Sequence, residues 1–448
     1  MRLFNTMTRK KEDFQPIDGT TARIYSCGPT VYSTATIGNL RAYVFTDILK
    51  KSLEEVGGFK VFDVMNTTDV GHLQSDADEG EDKVELAAKK AAVSAQEIAK
   101  RYTDEFLCDT DLLNIRRPKV IAPASAYVKQ MISHVQELEK NGYTYKLSDG
   151  IYFNSAKFED YYKLRGKPSD DKTGARVAFG EKLGKNDFCL WRFTPPTALQ
   201  KFDSPWGVGI PGWHIECSAI ARQYLGDQFD IHTGGVDHIP IHHTNERAQT
   251  ESLTKKPMAN FWMHNEFIKI DGQKMSKSLG NVYTLADLSE RGYLPVHFRY
   301  LCLQTHYRTI LNFTFEALDG AKRAYENLIK QIKKNKEVPG LKEEFHEALA
   351  DDLNTSKALA VLWKAPKKLA LEFDKVLSLG LAEALQEKQV EIPQEVIDLA
   401  NQRLKFKQAK DFGAADKIRN DIKKLGYEII DTADGFEIYS AHGKLCEN

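Results

Sequence analysis

The sequence predicts an α/β protein: a Rossmann-like, doubly wound N-terminal domain interrupted by an insertion, then an α-helical bundle and a small C-terminal domain. Three observations carry this reading. Residues 22–65 run strand, loop, helix, strand. Strand character returns at residues 227–232 and 261–270, beyond a mixed middle segment. From about residue 313 onward the pattern is nearly all helical.

Residues 22–27 alternate between Gly19 and Gly28 and read as a strand. The loop CGPTVYSTATIGN follows, with Asn39 as the expected N-cap of the next helix. From Leu40 one helical face carries Leu40, Val44 and Ile48, flanked by Phe45, Leu49 and Leu53. Gly57 and Gly58 stop it, and residues 59–65 form a second strand. This βαβ unit opens a doubly wound sheet. Charged, helical sequence occupies about 81–113, and the middle mixes a helix near 124–139 with short strands such as 150–154. The expected domains are 1–115 and 206–312 for the two catalytic halves, 116–205 for the insertion, 313–391 for the bundle and 392–448 for the C-terminal domain. Pro339-Gly340 and Ile392-Pro393 mark joints in the helical part.

Length and composition fit several soluble domains. The chain has 448 residues, 42% of them hydrophobic, and Lys+Arg 62 nearly balances Asp+Glu 63. Any nucleic-acid surface must therefore be a local basic patch. No apolar stretch is long enough to span a bilayer, and the polar opening lacks a signal peptide's apolar run. Six scattered cysteines suit a cytoplasmic chain with reduced thiols used for metal binding or catalysis. A monomer without membrane association is expected.

Two motifs point to phosphate chemistry. Thr36-Ile-Gly-Asn39 lies between the first strand and its helix, where backbone N–H groups and the positive dipole end suit phosphate. Gly38 permits close backbone approach; a plain tight turn would use the same residues. Lys274-Met-Ser-Lys-Ser278, with Lys274 and Lys277, can close over a triphosphate and stabilise charge as pyrophosphate leaves. Together the motifs resemble the HIGH and KMSKS signatures of class I aminoacyl-tRNA synthetases. The second matches letter for letter. In the first, Thr36 and Asn39 stand where the family has histidines, and neither can carry positive charge. The resemblance implies ATP at Thr36, Gly38, Asn39, Lys274 and Lys277, with Mg2+ accompanying ATP.

Near these motifs lie four potential metal ligands: Cys27, Cys217, His242 and Glu246. His242 and Glu246 are four residues apart, so on a helix they face the same way. His243 is an alternative that spacing does not exclude. CGPTVY, SPWGVGIPGWHIECSA, DIHTGGVD and HHTNE, in this order, are similar to the cysteinyl-tRNA synthetase family, and the likeness covers essentially the whole chain. It implies a class I synthetase catalytic domain with an anticodon-binding C-terminal domain. It also implies one Zn2+ held by Cys27, Cys217, His242 and Glu246. Zinc prefers a soft thiolate and lowers its pKa, which separates cysteine from serine without an editing domain.

The same resemblance implies that Gly28, Thr68, Trp213 and His232 surround L-cysteine. The acidic run at 76–82 is a second magnesium candidate, a solvated loop being the alternative. The substrates would be L-cysteine, ATP and cysteine tRNA, and the products cysteinyl-adenylate and then the charged tRNA. The basic segment 403–424 (with Arg403, Lys405, Lys407, Lys410, Lys417 and Arg419) would follow the RNA backbone. Phe412, Tyr427 and Phe436 are candidates for stacking on anticodon bases. Two rivals remain: a cysteine:amino-sugar ligase of mycothiol type and a non-catalytic paralogue that binds tRNA or cysteine.

Overall fold

The computed structural model describes residues 1–72, 81–166, 181–276, 279–386, 393–409, 411–432 and 435–440. The chain divides into two compact units, Met1–Leu381 and Ala382–Asn448. The first is built on five strands: β1 (Thr21–Ser26), β2 (Lys60–Thr67), β3 (Val120–Pro123), β4 (Phe229–Gly235) and β5 (Ala259–Asn265). Their order across the sheet is β5-β4-β1-β2-β3, and every neighbouring pair is parallel. The chain therefore builds outward from β1 in one direction and then returns to build in the other, as in a doubly wound fold. Helices cover both faces of such a sheet, so its central strands carry little polar alternation. β4, FDIHTGG, is buried at all but its last residue.

Helix α1 (Ile37–Glu55) follows β1. Leu40, Val44, Phe45, Ile48, Leu49 and Leu53 are buried as the periodicity requires, but so are Arg41, Asp47 and Lys50. The helix is enclosed on more than one side. It also starts earlier than the sequence suggests. Thr36 is the N-cap and Asn39 is the third helical residue, joined in a reciprocal capping box. The expectation of an Asn39 cap is corrected because the asparagine side chain reaches back to the Thr36 N–H at 3.0 Å.

Between β3 and helix α2 (Trp213–Leu225) lies the inserted segment. It contains the helix Val128–Lys140 and a four-stranded antiparallel sheet whose last strand is Gly209–Pro211. Helix α3 (His242–Thr254) separates β4 from β5. Beyond β5, the short strands Ile268–Ile270, Gln273–Lys274 and Leu311–Phe313 form a three-stranded sheet. Helices Phe315–Ile332, Leu341–Ala350, Thr355–Leu362 and Lys367–Leu377 complete the unit.

A buried charge cluster ties α1 to the helix Pro295–Gln304 and to the end of Lys367–Leu377. Asp47 is fully buried and accepts from Arg299 Nη2 at 2.7 Å, Lys51 Nζ at 2.7 Å and the Arg116 N–H at 2.9 Å. Arg299 donates onward to the carbonyls of Leu377 and Leu113. Burial works against ionising Asp47, and Arg299 and Lys51 outweigh it, so its carboxyl stays below the usual carboxylate range.

The second unit contains helices Gln394–Gln408 and Phe412–Lys424 around a small core of Val396, Ala400, Ile422 and Ile429. It ends in an antiparallel pair, Tyr427–Thr432 with Gly435–Ser440. The helical pattern read from the sequence therefore stops at Lys424. Tyr427, Phe436 and Ile438 pack against the helices and give the pair a buried side. Among the described residues no helix is long and apolar enough to cross a membrane.

Asp47→Ala leaves Arg299 buried without its anion and should destabilise the first unit by about 3–5 kcal/mol. Urea unfolding measures the loss, and Asp47→Leu combined with Arg299→Met should recover most of it. The Asp47 contribution is present above the ordinary aspartate pKa and is lost as pH falls through the depressed value.

Candidate active site

In a doubly wound sheet, the strand order reverses at a point where neighbouring connections leave in opposite directions. This opens a crevice beyond the carboxyl ends. Here the reversal lies between β1 and β4. Cys27 follows β1, Thr68 follows β2, and His242 and Glu246 open α3 after β4. Helix α2 runs beneath the crevice and brings Trp213, Glu216 and Cys217 to it. Segments far apart in sequence thus converge on one small volume.

Within it, Cys27, Cys217, His242 and Glu246 place one ligand atom each, all within 4.8 Å of one another. Cys27 Sγ is 3.9 Å from Cys217 Sγ and 3.7 Å from Glu246 Oε1, and His242 Nε2 is 3.0 Å from the same oxygen. Two sulfurs at about 2.3 Å from a tetrahedral zinc would be about 3.8 Å apart. The donors therefore fit such an ion. A second group, Cys27, His232, His243 and Glu246, meets the same distance condition. His243 Nε2 lies 3.2 Å from Cys27 Sγ but 3.9 Å from Glu246 Oε1. The first group is distinguished by its two sulfurs; both histidines are oriented through their other ring nitrogen, His242 by His214 Nδ1 at 2.9 Å and His243 by His264 Nε2 at 2.8 Å. A ligating histidine is normally oriented in this way.

The electrostatics favour a cation at the centre. Burial opposes ionising Glu246, but the His232 and His242 rings hold its carboxyl well below the usual range. Burial and the hydrogen-bonded Cys217 sulfur push the Cys27 thiol well up. Cys217 itself resists burial and comes down to about 6 through Cys27 and His242. His242 is penalised by burial, yet Glu246 and Cys217 raise it to about 10. Without a metal, a protonated His242 offsets only one of the two anions, Glu246 and Cys217, and the proton on Cys27 merely avoids a third. Metal binding replaces such protons.

The remaining residues expected at the amino acid lie around this cluster. Gly28 donates its N–H to Asn66 Oδ1 at 2.9 Å, and a Cβ on it would sit 1.6 Å from the Asn66 carbonyl oxygen. Thr68 Oγ1 bonds Glu216 Oε2 at 2.9 Å and receives Asn66 Nδ2 at 3.0 Å. Trp213 stacks on His242 at 4.4 Å and on His72 at 4.1 Å. His232 is fully buried, with Nε2 2.9 Å from Glu246 Oε2. Gly28, Thr68, Trp213 and His232 thus lie beside the ligand set. Sequence reasoning missed His72, Asn66, His214 and Glu216. Of these, His214 and Glu216 had a signal, their place with Cys217 in the HIEC run.

The second motif meets the N-terminus of α1. Thr36 Oγ1 donates to Asn39 Oδ1 at 2.7 Å and receives the Asn39 N–H at 3.3 Å, so its hydroxyl serves the cap. The Ile37 N–H goes to the Tyr283 carbonyl at 2.9 Å. A Cβ on Gly38 would lie 3.4 Å from Met275 Cε, which brings the Lys274-Met275-Ser276 segment against the helix terminus. Lys274 is exposed on the strand Gln273–Lys274. Lys277 and Ser278 lie outside the described residues, as does most of the acidic run, residues 76–80. Asp82, at the end of that run, caps the helix Lys83–Ala91, and burial raises its pKa to about 6.

Of the basic residues in the second unit, Lys405, Lys417 and Arg419 are exposed and Lys407 is half-buried. Arg403 is a correction: it is 4% exposed and lies on the face of its helix that carries Val396 and Ala400. Lys410 lies outside the described residues. Phe412 is 60% exposed, whereas Tyr427 and Phe436 pack on the small core.

Comparison with known proteins gives a consistent result. Residues 13–323 match the family described as tRNA synthetases class I (C) catalytic domain. A cysteine–tRNA ligase of Burkholderia lata is 41% identical over 98% of this chain and 97% of its own length. One from Treponema denticola is 39% identical over 97% and 98%. Among solved structures, methionyl-tRNA synthetase of Mycobacterium tuberculosis with methionyl-adenylate aligns with a TM-score of 0.57 at 14% identity. That alignment covers 82% of this chain and 89% of the other, and it shows a shared fold.

Gly28→Ala should drive a methyl into the Asn66 carbonyl and force the ends of β1 and β2 apart. The expected loss is at least about 1–3 kcal/mol, the range for overpacking, read from the urea midpoint.

Proposed function

The chain belongs to the cysteine–tRNA ligase family of class I synthetases, and we propose that it selects its amino acid through a zinc ion held by Cys27, Cys217, His242 and Glu246. The enzyme activates L-cysteine with ATP and transfers it to the 3′-terminal adenosine of cysteine tRNA. The observation that carries the zinc reading is the convergence of four buried donors at the switch point. The metal, when bound, supplies a soft Lewis acid that prefers a thiolate to a hydroxyl. A pocket of shape alone separates such near-isosteres by only roughly 10–200-fold.

The chain's own residues do the positioning. Trp213 forms a wall over the thiol end of the pocket. Gly28 leaves backbone space, and Thr68 offers a hydroxyl oriented by Asn66 and Glu216 to the substrate's amino-acid end. The cysteine carboxylate then attacks the α-phosphorus of ATP. One P–O bond forms, the bond to pyrophosphate breaks, and cysteinyl-adenylate results. The N-terminus of α1, capped by Thr36 and Asn39, faces the triphosphate with its backbone. Lys274 and Lys277 neutralise the leaving pyrophosphate, and Mg2+ enters with ATP. In the second step a hydroxyl of the terminal adenosine attacks the adenylate carbonyl and AMP leaves. No protein nucleophile is needed.

For the tRNA we propose that residues 392–448 receive the anticodon end. Lys405, Lys417 and Arg419 would meet phosphates, and exposed Phe412 would stack on a base. Residues 313–391 form the intervening bundle in this scheme. The reaction belongs in the cytoplasm, with its tRNA and ATP.

Cys217→Ser tests the metal reading. Elemental analysis should show zinc lost, and cysteine-dependent ATP–pyrophosphate exchange should fall with it. A variant that retains cysteine activation without zinc would contradict the assignment. Removing residues 382–448 should abolish efficient tRNA charging while sparing adenylate formation, as measured by exchange beside aminoacylation.

A further inference from the structure

Arg41 is 2% exposed, and among the described residues no carboxylate contacts it, although the Glu266 charge favours its ionised form. Its guanidinium instead binds four backbone carbonyls. Nη1 donates to Glu266 and Phe267, each at 2.8 Å; Nη2 donates to Thr309 at 2.6 Å and His306 at 3.3 Å. A buried cation without a counter-ion is costly, so an arrangement of aimed carbonyl dipoles must offset it. The placement of those carbonyls gives the arrangement its meaning. Glu266 and Phe267 immediately precede the strand Ile268–Ile270, and His306 and Thr309 precede Leu311–Phe313, its parallel partner. The other neighbour of Ile268–Ile270 is Gln273–Lys274, with Lys269 opposite Lys274. Arg41 is the fifth residue of α1, directly behind the Thr36–Asn39 cap.

One side chain therefore joins the first turns of α1 to the segments that enter two of the three strands of the small sheet, whose third strand presents Lys274. Other ties between these parts are the Ile37 N–H to Tyr283, a bridge between Thr36 and Thr284, and the Met275 contact at Gly38. Thr36, Gly38, Met275, Tyr283 and Thr284 are half-buried, whereas the Arg41 side chain is buried. We infer that Arg41 is a positioning residue for amino-acid activation: it sets the distance between the α1 terminus and Lys274, so that both meet the same triphosphate. The inference rests on the assignment of those two elements to ATP. Arginine is required because its planar fork reaches carbonyls on two separate segments, whereas an ammonium is a single point donor. Misplacement of a reacting geometry by about 1 Å can cost on the order of 100-fold in rate.

The second chemical step no longer contains pyrophosphate, so it does not need this spacing. That separation distinguishes positioning from general support of the fold. Arg41→Lys keeps the charge and loses the span; Arg41→Gln is a second variant that buries no unpaired cation. In the full-length, zinc-containing enzyme, both should lower kcat of cysteine-dependent ATP–pyrophosphate exchange about tenfold or more. The KM for cysteine and the zinc content should remain unchanged. Single-turnover transfer from supplied cysteinyl-adenylate to tRNA should proceed at the wild-type rate. Undiminished exchange in either variant would overturn the inference, as would an equal fall in both steps. Lys274→Ala, run alongside, separates the layers: normal exchange in that variant strikes the ATP assignment, while normal exchange in the Arg41 variants strikes only the role given to Arg41.

Discussion

Everything around the crevice answers to one buried carboxylate. Glu246 is fully enclosed, yet its environment keeps it ionised: His232 approaches one oxygen and His242 the other, with the Cys27 sulfur close by. An isolated carboxylate in that position would be strongly disfavoured. The surrounding donors are compatible with it only if positive charge is shared among them. A divalent ion satisfies this requirement with fewer protons than the imidazolium alternative. The same demand explains the ring of second contacts, in which His214 orients His242 and Trp213 covers it. Specificity for a thiol is then a consequence of where the fold places its deepest charge.

The phosphate end works on a different principle. The family signature supplies histidines at the first motif, but here Thr36 and Asn39 are neutral and bond each other. Their contribution is conformational: they fix the first turn of α1 through a reciprocal capping box. In the proposed function, positive charge comes from Lys274, Lys277 and the metal accompanying ATP. Because Lys274 sits on a separate small sheet, the geometry between sheet and helix matters more than in a motif that carries its own cations.

How much of this was legible in the sequence depends on range. The βαβ opening is local and follows from periodicity, and the i, i+4 relation of His242 to Glu246 holds once that segment is a helix; α3 itself, HHTNERAQTESLT, buries mostly polar residues and has no apolar stripe to announce it. The quartet came from its likeness to a family, since Cys27 and Cys217 are 190 residues apart and no spacing rule joins them. Asn66, His72 and Glu216 escaped for the same reason; their roles arise only when β2 and α2 meet. Arg403 failed differently. A basic run suggests exposure throughout, yet Val396, Ala400 and Arg403 recur at helical spacing and share the inward face. The terminal strand pair was hidden by its shortness, because Tyr427, Phe436 and Ile438 gain meaning only against the helices they cover.

The central claim is that cysteine is chosen by direct contact between its sulfur and a zinc ion held by this cluster. X-ray absorption at the zinc edge of the full-length enzyme addresses it most directly, comparing the protein alone, with L-cysteine and with L-serine. The account predicts sulfur neighbours from Cys27 and Cys217 in the free enzyme, an added sulfur with cysteine, and no change with serine. A zinc environment indifferent to cysteine, or one that responds equally to serine, would contradict it.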